Sequence, residues 1–247
     1  MAQDGAGRSA ALRGVVALDG PSGTGKTTVA RRLAATLGAG YLDTGAMYRL
    51  VTLAVLRAGI DPADTAAVAT LARNVELSIG TDPERPYARL AGQDVAEAIR
   101  TEPVNVAVSP VSAVPEVREV LVAGQRRIIE HVLGTVGGIV VDGRDIGTVV
   151  APDAPLKVFL TASPEVRAAR RNAQDTAAGR ESTAAEALAS VDRRDRLDSS
   201  RAASPMRPAE DAVLFDTSEL TVEQVIVALS ELASRRGLLG DGVGARR

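Results

Sequence analysis

Residues 20–27 read Gly20-Pro21-Ser22-Gly23-Thr24-Gly25-Lys26-Thr27, an ungapped fit to the phosphate-loop pattern G-x-x-x-x-G-K-[ST]. The pattern constrains the fold as much as the chemistry, because it works only between a buried strand and the start of a helix. Both flanks are present. Val15-Val16-Ala17-Leu18 is a β-branched apolar run, and Thr28 to Leu37 carries a helical pattern that closes at Gly38, a C-terminal cap. In that setting backbone N–H groups converge on phosphate oxygens and the helix N-terminus adds its positive end. Residues Gly20 to Thr28 then cradle the phosphates, Lys26 reaches the β- and γ-phosphates, and Thr27 offers its hydroxyl to Mg²⁺. The implication is a nucleoside triphosphate site.

Composition narrows the field. Of 29 Lys+Arg residues only Lys26 and Lys157 are lysines, so a chain biased to arginine keeps a compact ammonium where the loop needs one. The net charge of −2 gives no overall basic field, and two Phe, three Tyr and no Trp leave little for base stacking. No nucleic-acid partner is therefore expected, and the length, surface charge and stacking residues of a nucleic-acid motor are missing. With no cysteine, disulfides, thiolate clusters and a cysteine nucleophile are excluded. The single histidine, His131, falls in a helical pattern and reads as an ordinary helix residue. No apolar stretch reaches membrane-span length and no signal-peptide core is visible, so the expectation is a cytoplasmic protein with no membrane partner.

Along the chain, strand-like runs alternate with helical segments: Val15–Asp19, Tyr41–Asp43, Ile139–Asp142, Leu156–Leu160 and Val213–Asp216. Runs without polar alternation are buried on both faces, which predicts an α/β fold with a five-stranded parallel sheet between helical layers. Ligands of such sheets sit beyond the strand C-termini. Met47, Leu50, Val51, Ala54 and Val55 mark a helix that Asp43 or Thr44 can cap, with Arg49 off its apolar stripe. The stretch of about 73–110 breaks the rhythm and reads as an antiparallel hairpin inserted over the site. Residues 163–200 are arginine-rich, which fits either a solvated helical pair or a mobile cationic lid; the lid is placed at about 163–190. The ordered domain is expected to span 14–236, between disordered tails 1–13 and 237–247.

Asp142-Gly143-Arg144-Asp145 directly follows an apolar strand. Asp142 is placed to hold Mg²⁺, with Thr27 as the other metal residue. Arg144 and Asp145 then project beyond the strand end, as a functional pair or a structural salt bridge. A switch GTPase would need D-x-x-G here, and an N-K-x-D motif. The chain has D-x-x-D, and Asn172-Ala173-Gln174-Asp175 lacks the lysine.

With these motifs the chain resembles the bacterial cytidylate kinases, members of the nucleoside monophosphate kinases. The resemblance rests on the glycine loop, Asp43-Thr44-Gly45-Ala46-Met47-Tyr48-Arg49, Ile99-Arg100-Thr101-Glu102, Val117-Arg118, Asp142 to Val150, Arg194-Asp195 with Asp198 and Arg201, and Asp216-Thr217-Ser218. It implies phosphoryl transfer from ATP, with Mg²⁺, to CMP or dCMP, by a monomer. By the same resemblance Thr44, Arg49, Arg144 and Arg201 surround the monophosphate, Ser109, Arg118 and Asp145 face the cytosine, and Arg194 and Asp198 contact the sugar. It also puts Arg170 and Arg171 in the lid near the transferred group, so that Lys26, Arg144, Arg170, Arg171 and Arg201 form the catalytic set. The adenylate type usually carries Asp-Gly-Phe-Pro-Arg where this chain has Asp142-Gly143-Arg144-Asp145. Departures from the resembled pattern are small: Thr44 stands where serine is common, and Ala151 where an aromatic is often found.

Overall fold

The computed structural model describes residues 11–240 apart from 178, 180–182 and 202. In chain order, β1 (Ala11–Leu12) and β2 (Gly14–Asp19) lead to α1 (Lys26–Thr36), and β3 (Gly40–Asp43) to α2 (Thr44–Arg57) and α3 (Thr65–Asn74). Short strands β4 (Leu77–Ile79), β5 (Ala88–Leu90) and β6 (Gln93–Asp94) precede α4 (Glu102–Ala113) and α5 (Pro115–Thr135). The chain continues through β7 (Gly138–Asp142), β8 (Leu156–Thr161), α6 (Pro164–Ala177) and α7 (Ala184–Ser200). It closes with β9 (Val213–Asp216), α8 (Val222–Arg235) and β10 (Leu239–Gly240).

All five expected strands are present and form one parallel sheet in the order β3-β7-β2-β8-β9. Alternate residues of β2 explain its unbroken apolar run. Val15 and Ala17 pack into a core with α2 to α5, while Val16 and Leu18 pack into a second core with α1 and α8. Helices thus cover both faces, giving three layers. α1 stops where the sequence predicts. Gly38 takes a φ of 55°, and Gly38 and Ala39 donate to the carbonyls of Ala35 and Ala34, closing the helix with a left-handed cap.

α2 is buried on two sides, because a second layer covers it. Met47, Val51 and Val55 face the sheet core, whereas Leu50, Leu53 and Ala54 pack under β5 and the segment Val95–Val104. The expected hairpin is in fact a three-stranded antiparallel sheet, β4-β5-β6, confined to 77–94. The remainder of the 73–110 stretch is a 3-10 turn and most of α4. The third strand escaped because both of its residues are exposed and carry no alternation.

Two boundaries need correction. Residues 11–13 and 237–240 belong to the folded body: β1 and β10 pair antiparallel, Leu12 is fully buried, and Leu238 packs into the same core. The rest of the expected tails, 1–10 and 241–247, lie outside the described residues. The arginine-rich stretch is a packed helical pair, α6 and α7, whose second helix runs to Ser200. Positions 178 and 180–182 of the expected lid are likewise outside the described residues. His131 sits exposed within α5, as an ordinary helix residue.

Candidate active site

Four parallel strands end in or next to carboxylates along one edge of the sheet. Leu18 stands beside Asp142 and Asp43 beside Asp142 in the strand register, with Asp19 completing β2. Above this edge lies a cavity of about 780 Å³, bounded by the glycine loop, α2, the inserted sheet, α4 and α7. Of the residues expected in the site, Ser22, Gly23, Gly25, Lys26, Thr27, Thr28, Thr44, Arg49, Ser109, Arg118, Asp142, Arg144, Asp145, Arg171, Arg194, Asp198 and Arg201 line it. Gly20, Pro21, Thr24 and Arg170 do not.

The glycine loop owes its shape to close packing. Gly20 has φ 140°, and a Cβ there would stand 2.1 Å from the Leu160 carbonyl oxygen, so only glycine fits. Lys26 folds back to donate to the Pro21 carbonyl at 2.6 Å and the Thr24 hydroxyl at 3.3 Å. Burial pulls its ammonium well below the usual lysine range, and nearby Arg144 adds to this. The Thr27 hydroxyl donates to Asp142 Oδ2 at 2.6 Å. Burial pushes the Asp142 carboxyl up, with Asp43 contributing. This pair fits a hard divalent cation: a hydroxyl and a carboxylate meet, and the carboxylate carries a penalty that a dication would remove.

The other half of the cavity is built from side chains. Asp43 caps α2 by accepting from the Ala46 N–H at 2.8 Å, so the capping role falls to Asp43. Thr44 is thereby free to donate to the Asp142 carbonyl at 2.7 Å. Arg49 donates to the Ile99 carbonyl at 2.9 Å and to Asn105 Oδ1 at 2.7 Å. Burial depresses its guanidinium to about 9, with Arg194 and Arg100 adding repulsion. Burial and Arg144 likewise depress Arg194 to about 10. Crowded cations of this kind define a site for a multiply charged anion. Asp198 partly offsets them, accepting from Arg144 Nε at 3.1 Å and facing Arg201 at 3.6 Å.

Deeper in, Arg118 is buried and forms an ion pair with Asp145 Oδ2. Its other prong reaches the Ser112 carbonyl at 3.3 Å, and its guanidinium lies 5.2 Å from the Tyr48 ring centroid. Asp145 Oδ1 takes no hydrogen bond among the described residues and remains available at the cavity wall.

One expected residue stands outside the cavity lining. Arg170 donates to the carbonyls of Thr24 at 3.2 Å and Thr217 at 2.7 Å, beside the glycine loop. Other residues escaped notice. Asp195 accepts from both the N–H and hydroxyl of Ser22 at 3.0 Å and pairs with Arg167, tying α6 and α7 to the glycine loop. Asp19 accepts from the backbone N–H groups of Ile146 and Gly147. Asp195 stood within a recognised motif without a role, and a strand-ending Asp immediately before the glycine loop was the available signal for Asp19.

A parallel sheet covered on both faces, with a glycine loop between its central strand and a helix and an arginine-lined anion cavity beside it, defines an α/β phosphotransferase of the phosphate-loop class. A model of the family described as cytidylate kinase matches residues 16–235. Proteins named cytidylate kinase in Nocardia farcinica (strain IFM 10152) and Rhodococcus opacus (strain B4) are each 58% identical. The first aligns over 222 residues, 90% of this chain and 94% of the relative; the second over 226 residues, 92% and 97%. The chain belongs to the cytidylate kinase family. Among solved structures, an uncharacterized protein from Eubacterium ventriosum ATCC 27560 shares the fold. Its TM-score is 0.51 at 12% identity, covering 90% of this chain and 99% of that one. Among the described residues no helix is long and apolar enough to cross a membrane.

Proposed function

We propose that the protein transfers the γ-phosphoryl group of ATP to CMP or dCMP, giving ADP and CDP or dCDP. A phosphate oxygen of the monophosphate attacks the γ-phosphorus while the bond to the β–γ bridging oxygen breaks, and ADP leaves. The acceptor phosphate is largely dianionic at neutral pH, since its second pKa is near 6, so no side-chain base is required. The work of the protein is alignment and charge stabilisation.

In this reading residues 20–28 hold the triphosphate and Lys26 shifts from its internal contacts to the β- and γ-phosphates. Thr27 and Asp142 hold Mg²⁺, which when bound neutralises charge on those phosphates. Thr44, Arg49, Arg144 and Arg201 clamp the acceptor phosphate, Arg194 and Asp198 serve the sugar, and Arg171 of α6 serves the transferred phosphoryl group. The observation that carries the base assignment is the buried Arg118–Asp145 pair. A carboxylate oxygen left free at the wall accepts from the exocyclic amino group of cytosine, while Arg118 and Ser109 can serve the ring acceptors. Uracil would set a carbonyl against that carboxylate, an unpaired buried contact that strongly disfavours it. A monomer suffices, because one chain supplies both halves of the cavity.

The test is ADP release with ATP and Mg²⁺ against CMP, dCMP, UMP, AMP and GMP. Turnover concentrated on CMP and dCMP is expected. Preference for another base would discard the roles of Asp145 and Arg118.

A further inference from the structure

The segment that carries Arg144 and Asp145 is held to β2 at both ends. On one side the Gly143 N–H donates to the Leu18 carbonyl at 3.0 Å. On the other, the two oxygens of Asp19 accept from the Ile146 and Gly147 N–H groups, each at 2.8 Å. Those two N–H groups open a short wide turn, in which the Asp145 carbonyl accepts from the N–H groups of Val149 and Val150. Asp19 is 4% exposed, so both bonds are made away from water, and it immediately precedes Gly20 of the glycine loop. A Cβ at Gly147 would crowd this anchor, lying 3.1 Å from Lys157 Cδ and 3.5 Å from Asp19 Oδ2.

We infer that Asp19 is a positioning residue for the acceptor base, fixing Arg144 and Asp145 relative to the glycine loop through the backbone of residues 146–147. This rests on the assignment of Asp145 to the base. A buried carboxylate with two charge-assisted backbone bonds is a stiff anchor. Displacement of a recognition group by an ångström is enough to cost about a hundredfold in rate. Asp19 itself touches neither base nor phosphate, so its loss should act on acceptor recognition and leave the donor side intact.

The experiment compares wild type with Asp19→Asn, in which the amide retains one acceptor and sets an NH₂ against the second N–H. Steady-state kinetics with CMP and UMP at saturating ATP, and with varied ATP at saturating CMP, give the split. Expected are a rise of about ten- to a hundredfold in the KM for CMP and a narrower CMP-to-UMP preference, with the KM for ATP within about twofold. Unchanged CMP KM and preference overturn the inference, as does an equal loss on both substrates. Wild type inactive on CMP would instead overturn the functional assignment itself. If Asp19→Asn does not fold, amide hydrogen exchange in wild type decides. Slow exchange at Ile146 and Gly147 before CMP is added supports the anchor, and exchange as fast as in an open loop overturns it.

Discussion

The two halves of the cavity are made in different ways. In the proposed reading the triphosphate half comes from one continuous stretch, residues 20–28, which would bind mostly through backbone N–H groups shaped by glycines. The acceptor half is assembled from α2, α4, α5, the loop after β7 and α7, and acts through guanidinium and carboxylate side chains. Backbone ligands recognise any triphosphate, whereas side chains brought from five places can be tuned to one base. Generality lies in the contiguous half and selectivity in the assembled one.

Substitutions should therefore separate by half. The largest effect is expected for Lys26→Met, which removes the one lysine at the phosphates and should lower kcat by about a thousandfold or more, read by ADP release. Asp145→Asn should lower kcat/KM for CMP by about a hundredfold and narrow the preference over UMP, with the ATP KM unmoved. If instead Asp145→Asn raised the ATP KM as much as the CMP KM, the division of labour would fail. Arg49→Lys exchanges a planar fork for a point charge and should raise the KM for CMP about tenfold. Arg170→Ala sharpens the comparison from the other side. It loosens the glycine loop, so a severalfold rise in the ATP KM with no change for CMP is expected.

A separate expectation concerns stability of the free protein rather than turnover. Burial above all lifts the Asp19 carboxyl from 3.8 to about 6, against the lowering effect of its two backbone bonds. Between those values the folded chain holds a proton that the unfolded chain releases. The contribution of Asp19 is thus fully present below about pH 4 and is lost as pH rises through about 6, by at most about 3 kcal/mol. Urea titrations at pH 4.5 and 6.5 should show the drop in wild type, and Asp19→Asn should lessen it. The remainder comes from Asp142, whose carboxyl burial also lifts to about 6.

What could be read from sequence follows the same division. The five sheet strands and α1 were legible because burial on both faces leaves unbroken apolar runs, and the glycine loop is local by nature. Strand β6 was hidden, since Gln93 and Asp94 are exposed and pair only through the backbone. β1 and β10 were hidden because a two-residue strand has no period, and each depends on a partner at the other end of the chain. Beyond the glycine loop the site residues came from family resemblance, but the partners that hold the site together did not. Nothing near Ser22 signals that Asp195 will accept from it, and nothing near Arg170 shows that it donates to Thr217. Such contacts are set by how α6 and α7 pack, which no local pattern encodes.

The strand order also sets a timetable during synthesis. β2 lies at the centre of the sheet, yet it leaves the ribosome long before either neighbour, β7 beginning at Gly138 and β8 at Leu156. At translation rates of roughly 5–20 residues per second, the delay before β7 is made is roughly 6–24 s. Throughout that interval Val15–Leu18 is an apolar segment without sheet partners, and Asp19 and Thr27 wait for the residues they will bond. The nucleotide cradle, written first, is therefore among the last parts of the molecule to become competent. A nascent chain stalled before Gly138 should sediment with chaperones rather than bind ATP.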